Sequence, residues 1–356
     1  MRIHEVLSVP PVGHGNPAVA LALQRQAEQI GLDVRLISLE TTAPLARLAH
    51  RRMTRDPERA RRYISDPGRR TGPLSIAYAI ASAHEFASRV GDASPVAWTT
   101  VQEHALLGAS PRALEQLGVV GVRLATPDVS PKESGVAAAR KHHELATVFV
   151  WNAITQRLLR QRGIKTELTA PYLDRYHGYH DLPQKGLPVV AKTSGSGFPL
   201  EWRRTLHQAL MELSCDWAFH TPEHRHTPSG SIEKPDSLAS IHSYYSDVGD
   251  DTQAIICYPS EQVGLVCGRN ERGKPTWMIA LPPRGTHEYE NLVFARDQGV
   301  LWGELVMDNG SAPTLPGTRV IPVGSLTQEI VRLGNEQPNW RPSVIGQQPF
   351  WEVAQT

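Results

Sequence analysis

The chain is poor in cysteine. Cys215, Cys257 and Cys267 are its only three in 356 residues, and no two of them form a C-x-x-C pair. That excludes a disulfide-built scaffold and a cysteine zinc site, and makes a reducing compartment the simplest home. Charge of one sign is lacking too. With 37 Lys and Arg against 36 Asp and Glu the formal charge is +1, which leaves no overall footprint for nucleic acid. No apolar run in the sequence approaches the roughly 18 residues of a membrane-crossing helix. The opening MRIHEVLSVPPVGHGN reads as strand and loop rather than as a signal peptide. A soluble, cytoplasmic protein is the expectation. No G-x-G-x-x-G follows the first strand, and no Gly-Lys-Ser/Thr closes a phosphate loop, so a nicotinamide cofactor and ATP hydrolysis are both disfavoured. No Asp-x-Asp stands in a turn suited to a metal, so neither a metal nor a cofactor is expected.

What is present is enough for two domains of ordinary size, with 40% hydrophobic residues to fill two cores. Residues 6–9 form a strand-length apolar run, residues 10–17 a Pro/Gly loop around His14, and a helix is expected from about 18 to 30. Gly31 stops that helix and 34–39 is the next strand, a β-loop-α-β unit expected to be parallel and right-handed. Further strands are expected at 95–100, 119–125 and 147–151, with a helix at about 154–162. Asp128 follows one of these strands at its carboxyl end, where α/β folds place ligand groups, although a turn-initiating Asp reads the same way.

The segment 171–186 is rich in turn formers and aromatics and reads as a linker, after which the pattern restarts. A strand at 187–192 leads into Thr193-Ser194-Gly195-Ser196-Gly197-Phe198-Pro199 and a helix at 200–213. Two glycines let backbone N–H groups approach an anion, and the helix N-terminus adds its positive end. The strand at 254–258 ends in Pro259-Ser260-Glu261-Gln262, and a later helix is expected at 326–333. The cluster His220, His224 and His226 invites a metal reading, but its Pro-containing loop spacing and lack of partners make a metal improbable. Residues 51–70 carry eight arginines against three acidic residues. That run is either a solvated helix and loop or a patch for a phosphorylated acceptor or anionic lipid surface.

The most informative stretch is 273–299, GKPTWMIALPPRGTHEYENLVFARDQG. An apolar strand runs into a Pro-Pro-Arg-Gly loop, and a helix opens on Thr286 with His287, Glu288 and Asn291 in its first turns. Glu288 there is suited to accept from two adjacent sugar hydroxyls, and the helix dipole favours nearby anions.

This stretch resembles the donor-binding segment of GT-B glycosyltransferases. The likeness is to the branch that makes the lipid-linked disaccharide of peptidoglycan and the plant galactolipids, and to the UDP-glycosyltransferases. The Gly13-His14 loop with its Pro17, and the 193–199 loop, resemble that family's two first loops in the same order. The resemblance implies an α/β fold of two Rossmann-like domains facing each other across a cleft. It divides the chain into an acceptor-binding domain at 1–175, a linker at 176–186, a nucleotide-sugar-binding domain at 187–335 and a tail at 336–356 that packs back across the domains. It implies His14 as catalytic base; Asp128, from its place at a strand's carboxyl end, is the candidate to pair with it. Ser194, Gly195, Ser196, Gly197 and Arg284 would hold the donor diphosphate, His287, Glu288 and Asn291 the donor sugar, and Glu261 the nucleoside. The His287-Glu288 pair stands where relatives often carry two glutamines. No two glutamates have seven residues between them, the pattern of many retaining members, so inversion is expected. The implied activity is metal-independent transfer from a nucleotide-diphosphate sugar, a UDP-sugar favoured, to an acceptor hydroxyl. Through the 51–70 segment the acceptor would be anionic or lipid-linked, with the protein peripheral to a membrane. A nucleotide-sugar 2-epimerase or hydrolase on the same fold, and a non-catalytic sugar- or nucleotide-binding protein, are the alternatives.

Overall fold

The computed structural model describes residues 3–9, 15–39, 73–91, 95–173, 186–193, 199–221, 223–234, 237–283, 286–307, 314–341 and 344–355. The chain forms two compact units, one of Met1–Gly178 with Val344–Thr356, the other of Tyr179–Ser343.

The first unit is built on a six-stranded parallel sheet in the order β2-β1-β3-β4-β5-β6. Its elements are β1 (His4–Val9), α1 (Gly15–Gln29), β2 (Val34–Ser38), α2 (Pro73–Val90), β3 (Val96–Thr100), α3 (His104–Gly108) and α4 (Pro111–Gln116). They continue with β4 (Val119–Ala125), α5 (Glu133–Lys141), β5 (Ala146–Val150), α6 (Ala153–Gln161) and β6 (Thr166–Leu168). Strands β3 and β5 are buried at every residue, as parallel strands covered on both faces must be. Trp98 of β3 stacks on Phe86 of α2 and donates its indole N–H to Ser8 Oγ at 2.8 Å. The end of the chain belongs to this unit. Its helix α12 (Phe350–Ala354) buries Phe350 and Trp351, and the Trp351 indole donates to the Leu23 carbonyl at 2.6 Å. Ahead of that helix, Gly346 passes so close to residue 169 that an added Cβ would lie 2.2 Å from the Thr169 carbonyl oxygen. Only glycine fits there.

The second unit carries an eight-stranded sheet in the order β10-β9-β8-β7-β11-β12-β13-β14. It runs β7 (Val189–Lys192), α7 (Leu200–Met211), β8 (Trp217–His220), β9 (His224–Thr227), β10 (Gly230–Glu233) and α8 (Ser237–Asp247). Then come β11 (Ala254–Cys257), α9 (Gln262–Glu271), β12 (Trp277–Ala280), α10 (Thr286–Asp297), β13 (Leu301–Val306), β14 (Val320–Pro322) and α11 (Leu326–Leu333). Strands β7, β8 and β11 are wholly buried, and Trp217, Phe219, Ile256, Ile279 and Leu305 form the centre of the core. The strands pair in parallel from β8 to β14, while β9 and β10 add an antiparallel hairpin at the β8 edge. That hairpin departs from the expectation, which placed the His220, His224 and His226 cluster in a loop.

The protein is thus α/β with two Rossmann-like sheets, as the alternation of apolar runs with helical segments implies. In each sheet the order reverses beside its first strand. β1 lies between β2 and β3, and β7 between β8 and β11. Outside the carboxyl ends of the strands at such a reversal, ligand crevices form in open α/β sheets.

Candidate functional site

Of the residues expected to act, His14, Ser194, Gly195, Ser196, Gly197 and Arg284 lie outside the described residues, as does the 51–70 segment. The others are placed as follows.

Lys192 is the last residue of β7, and Glu261 precedes α9 just after β11. Because β7 and β11 are neighbours, Lys192 is paired in register with Cys257, four residues before Glu261. The two charges meet across the reversal point, Lys192 Nζ to Glu261 Oε1 at 3.3 Å. Burial alone would raise the Glu261 carboxyl. The Lys192 ammonium, hydrogen bonds from Ser260 and Gln262, and the backbone at Glu261 itself hold it instead at about 2. The ammonium also lies 4.5 Å from the centre of the Tyr244 ring, whose hydroxyl donates to Gln262 Oε1 at 2.6 Å. Lys192 was not singled out by the sequence, where nothing marks a lysine at the end of an apolar strand as a partner for a glutamate 69 residues on.

Glu288 and Asn291, in the first turns of α10, are both fully buried, while His287 is half-buried. Asn291 Nδ2 donates to the Pro259 carbonyl at 2.9 Å, fastening the turn that carries Glu261 to the start of α10. Cys257, at the end of β11, is pushed up by burial and by both Glu261 and Glu288, with Lys192 opposing. Lys192, Glu261, Glu288 and Asn291 therefore share one locality at the carboxyl ends of β7, β11 and β12.

A second charged group stands beside it. His220, at the end of β8, is paired in register with Lys192 and packs its ring edge-on against Tyr244, centroids 5.4 Å apart. Its Nε2 is 2.8 Å from Asp247 Oδ2, and Arg225 grips both oxygens of that carboxylate at 2.6 and 2.7 Å. Burial drives His220 down to about 4, although Asp247 favours its charged form. Lys234 donates to the Thr221 carbonyl at 2.7 Å, and burial with Lys192 nearby lowers its ammonium to about 8.

The strand alternation splits the histidine cluster. His220 pairs with Arg225, and both turn to Asp247, whereas His226 pairs with Phe219 and faces His207 of α7 at 4.7 Å between centroids. Among the described residues no group of three or more His, Cys, Asp or Glu is arranged to hold a metal ion.

In the first unit, the turns after β3 and β4 line a pocket together with Asn16 near the start of α1. Asp128 and Glu103 are in its wall, both mostly buried. The Asp128 turn is pinned through the next residue, since the Val129 carbonyl accepts from Asn152 Nδ2 and from Thr155 Oγ1, each at 2.8 Å. Glu103 is raised by burial but held near 2 by His104, Lys132 and a bond from Ser134. Glu103 escaped the sequence reading because the turn between β3 and α3 carries no glycine or proline signal.

No protein-family model matches the chain, and no curated protein matches it by sequence. Among solved structures the chain is similar to MurG of Acinetobacter baumannii at 15% identity, over 93% of this chain and 91% of that one, with a TM-score of 0.44. It is similar to a UDP-GlcNAc 2-epimerase of Methanocaldococcus jannaschii, in complex with UDP-GlcNAc and UDP, at 11% identity over 95% of each chain, TM-score 0.46. A UGT of Glycyrrhiza uralensis, complexed with glycyrrhetinic acid 3-O-monoglucuronide, gives 11% identity over 94% of this chain and 88% of that one, TM-score 0.49. Likenesses of this size bring no substrate, reaction or residue role to this chain.

Proposed function

We propose that this protein is a GT-B glycosyltransferase that moves a sugar from a nucleotide-diphosphate sugar, a UDP-sugar favoured, to an acceptor hydroxyl. The observation that carries this reading is the convergence of Lys192, Glu261, Glu288 and Asn291 outside the strand reversal of the second sheet. The glycine-rich 193–199 loop joins β7 to α7 at the same edge. The carboxylates of Glu261 and Glu288 are of the kind that accept from ribose and sugar hydroxyls, and the sequence of the 193–199 segment, with its two glycines, is the part of this edge suited to a diphosphate.

In this reading the acceptor oxygen attacks the anomeric carbon and forms the new C–O bond. The bond from that carbon to the phosphate oxygen breaks, and its electron pair leaves with the diphosphate. His14 takes the acceptor proton as general base. The amides of Ser194, Gly195, Ser196 and Gly197, together with Arg284, stabilise the negative charge on the leaving group. Glu288, His287 and Asn291 hold the donor sugar, and Glu261 the nucleoside. Attack from the face opposite the leaving group inverts the anomeric centre. The sequence patterns named above support inversion and independence from metal.

A thermal-shift panel of UDP, GDP and dTDP with their sugars, with and without magnesium, tests the reading. A ligand at 100 times its Kd stabilises by about 2.7 kcal/mol, which is a rise of roughly 5–11 °C for a domain of this size. Stabilisation by one nucleotide class without metal supports the assignment. Sugar turnover with no acceptor added would move it to an epimerase or hydrolase, and a flat panel would overturn it.

A further inference from the structure

The pocket of the first unit has hydrogen-bonding groups that the fold leaves unused. Thr126, only 3% exposed, lines it, and its hydroxyl has no partner among the described residues. The side-chain carbonyl of Gln102, also in the lining, is buried and equally unpartnered. The backbone of Gln102 is by contrast well held, accepting from and donating to Thr100 Oγ1 at 2.7 and 3.3 Å. The backbone is therefore fixed, and the side-chain acceptor is left unspent. Native proteins rarely keep such groups, because burying a polar atom without a bond costs free energy that water would have supplied. Two of them in one small pocket, beside the carboxylates of Glu103 and Asp128, make a wall rich in acceptors and poor in donors. Lys132 is the one cation among the lining residues described.

We propose that this pocket takes a single hydroxyl or amino group of the molecule that receives the sugar, a polyol or carbohydrate rather than a phosphate or an aromatic ring, since its volume of about 20 Å³ admits one such group. The proposal rests on the transferase reading for the word acceptor, but the binding it asserts does not. A hydroxyl donates to Gln102 Oε1 or to a carboxylate and accepts from Thr126 Oγ1. Each orphaned atom then gains its bond. An anion in the same place would face two carboxylates against one lysine, and a phenyl ring would leave every orphan unsatisfied. The chemistry of the wall thus separates this acceptor group from the anionic one that the arginine-rich 51–70 segment suggests.

Saturation-transfer NMR on the full chain tests this with four probes at millimolar concentration, namely myo-inositol, glucosamine, methyl phosphate (whose methyl protons report for phosphate) and phenol. Saturation of myo-inositol or glucosamine, but not of phosphate or phenol, is the expected result. If only glucosamine responds, the amino group is the recognised feature; if both do, the hydroxyls are. Thr126→Val keeps shape and removes only the hydroxyl, and Gln102→Leu removes only the amide. Each should weaken the binding about tenfold while the melting temperature holds or rises. A merely structural orphan predicts the same gain in stability with unchanged binding, and that result overturns the proposal. Preference for phosphate or phenol, or silence from both polyols, overturns it as well. UDP stabilisation of the same samples reports on the transferase reading separately. A UDP shift with silent polyols therefore sinks this inference alone.

Discussion

Lys192 Nζ and Glu261 Oε1 stand 3.3 Å apart across the point where the strand order of the second sheet reverses, both largely buried. An ion pair out of water is weak evidence of stability, but removing one member is costly because the other charge is left without compensation. Lys192→Met and Glu261→Gln should therefore each destabilise by about 3–5 kcal/mol, since each leaves the other charge buried without compensation. Chemical denaturation of both single variants and the double variant measures this. A double variant no worse than Lys192→Met alone would show that the loss came from the stranded carboxylate. A fully additive pair would refute the coupling.

The same unit should lose stability in mild acid. His220 is held at about 4 against an ordinary 6.5, so the unfolded chain takes up a proton below pH 6.5 that the folded chain refuses until about pH 4. The contribution is complete above pH 6.5 and is lost as the pH falls through that window, and His226, also lowered to about 4, acts in the same sense. For His220 alone the effect is roughly 3 kcal/mol. Glu103 and Glu261, each held near 2, act in a separate and lower window, below about pH 4.5. Melting temperatures across pH 7 to 4.5 should drop steeply in the parent chain and less in His220→Gln. Parallel curves would mean that the burial of His220 is not what sets the slope.

The sheets were legible because buried parallel strands are unbroken apolar runs. Residues 189–192, 254–257 and 277–280 announce themselves in this way, and Gly31 and Gly163, at φ of 71° and 73°, mark helix ends that only glycine closes at little cost. The β9–β10 hairpin was not legible. Its strands read His-Arg-His-Thr and Gly-Ser-Ile-Glu, half-exposed or exposed throughout, so no alternation separates them from a polar loop. Candidate residues with a local signature, such as Glu288 and Asn291 after the strand and loop at 276–285, could be named from the chain alone. Lys192 could not, since its bond to Glu261 depends on β7 lying beside β11, a fact of strand order rather than of spacing. Thr126 and Gln102 were equally silent, because an unsatisfied hydrogen bond exists only once the neighbours are in place.

Asn291 ties two parts of the second-unit site together, and its replacement should separate stability from nucleotide affinity. Asn291→Ala removes the donor to the Pro259 carbonyl and leaves that oxygen buried. The cost should be about 1–3 kcal/mol. Under the transferase reading the freed 258–261 turn also weakens nucleotide binding, since Glu261 rides on it. Glu288→Gln keeps size and burial and should leave nucleotide affinity intact while weakening the response to the full nucleotide sugar. Calorimetric titration of UDP and of UDP-sugars into both variants distinguishes them. Equal losses for UDP and UDP-sugar in Glu288→Gln would place the sugar contact elsewhere.

His14 and Asp128 make different predictions, although the sequence offered them as a pair. A histidine base removed as His14→Ala should lower turnover by roughly 10²–10⁴ with donor affinity unchanged, because deprotonating the acceptor belongs to the chemical step alone. Asp128 sits in a wall whose turn is anchored through Val129 to Asn152 and Thr155, so Asp128→Asn should leave the fold in place. If Asp128 only orients the histidine, its loss lowers turnover without changing the KM of the acceptor. If it binds the acceptor through the pocket it lines, KM rises and turnover falls little. A pH–rate profile separates the roles further, since the acidic limb, where a histidine base becomes protonated, should vanish in His14→Ala and persist in Asp128→Asn. Turnover that survives His14→Ala with an unaltered profile would show that the proton goes to some other group, and Asp128 would then be the first residue to test in its place.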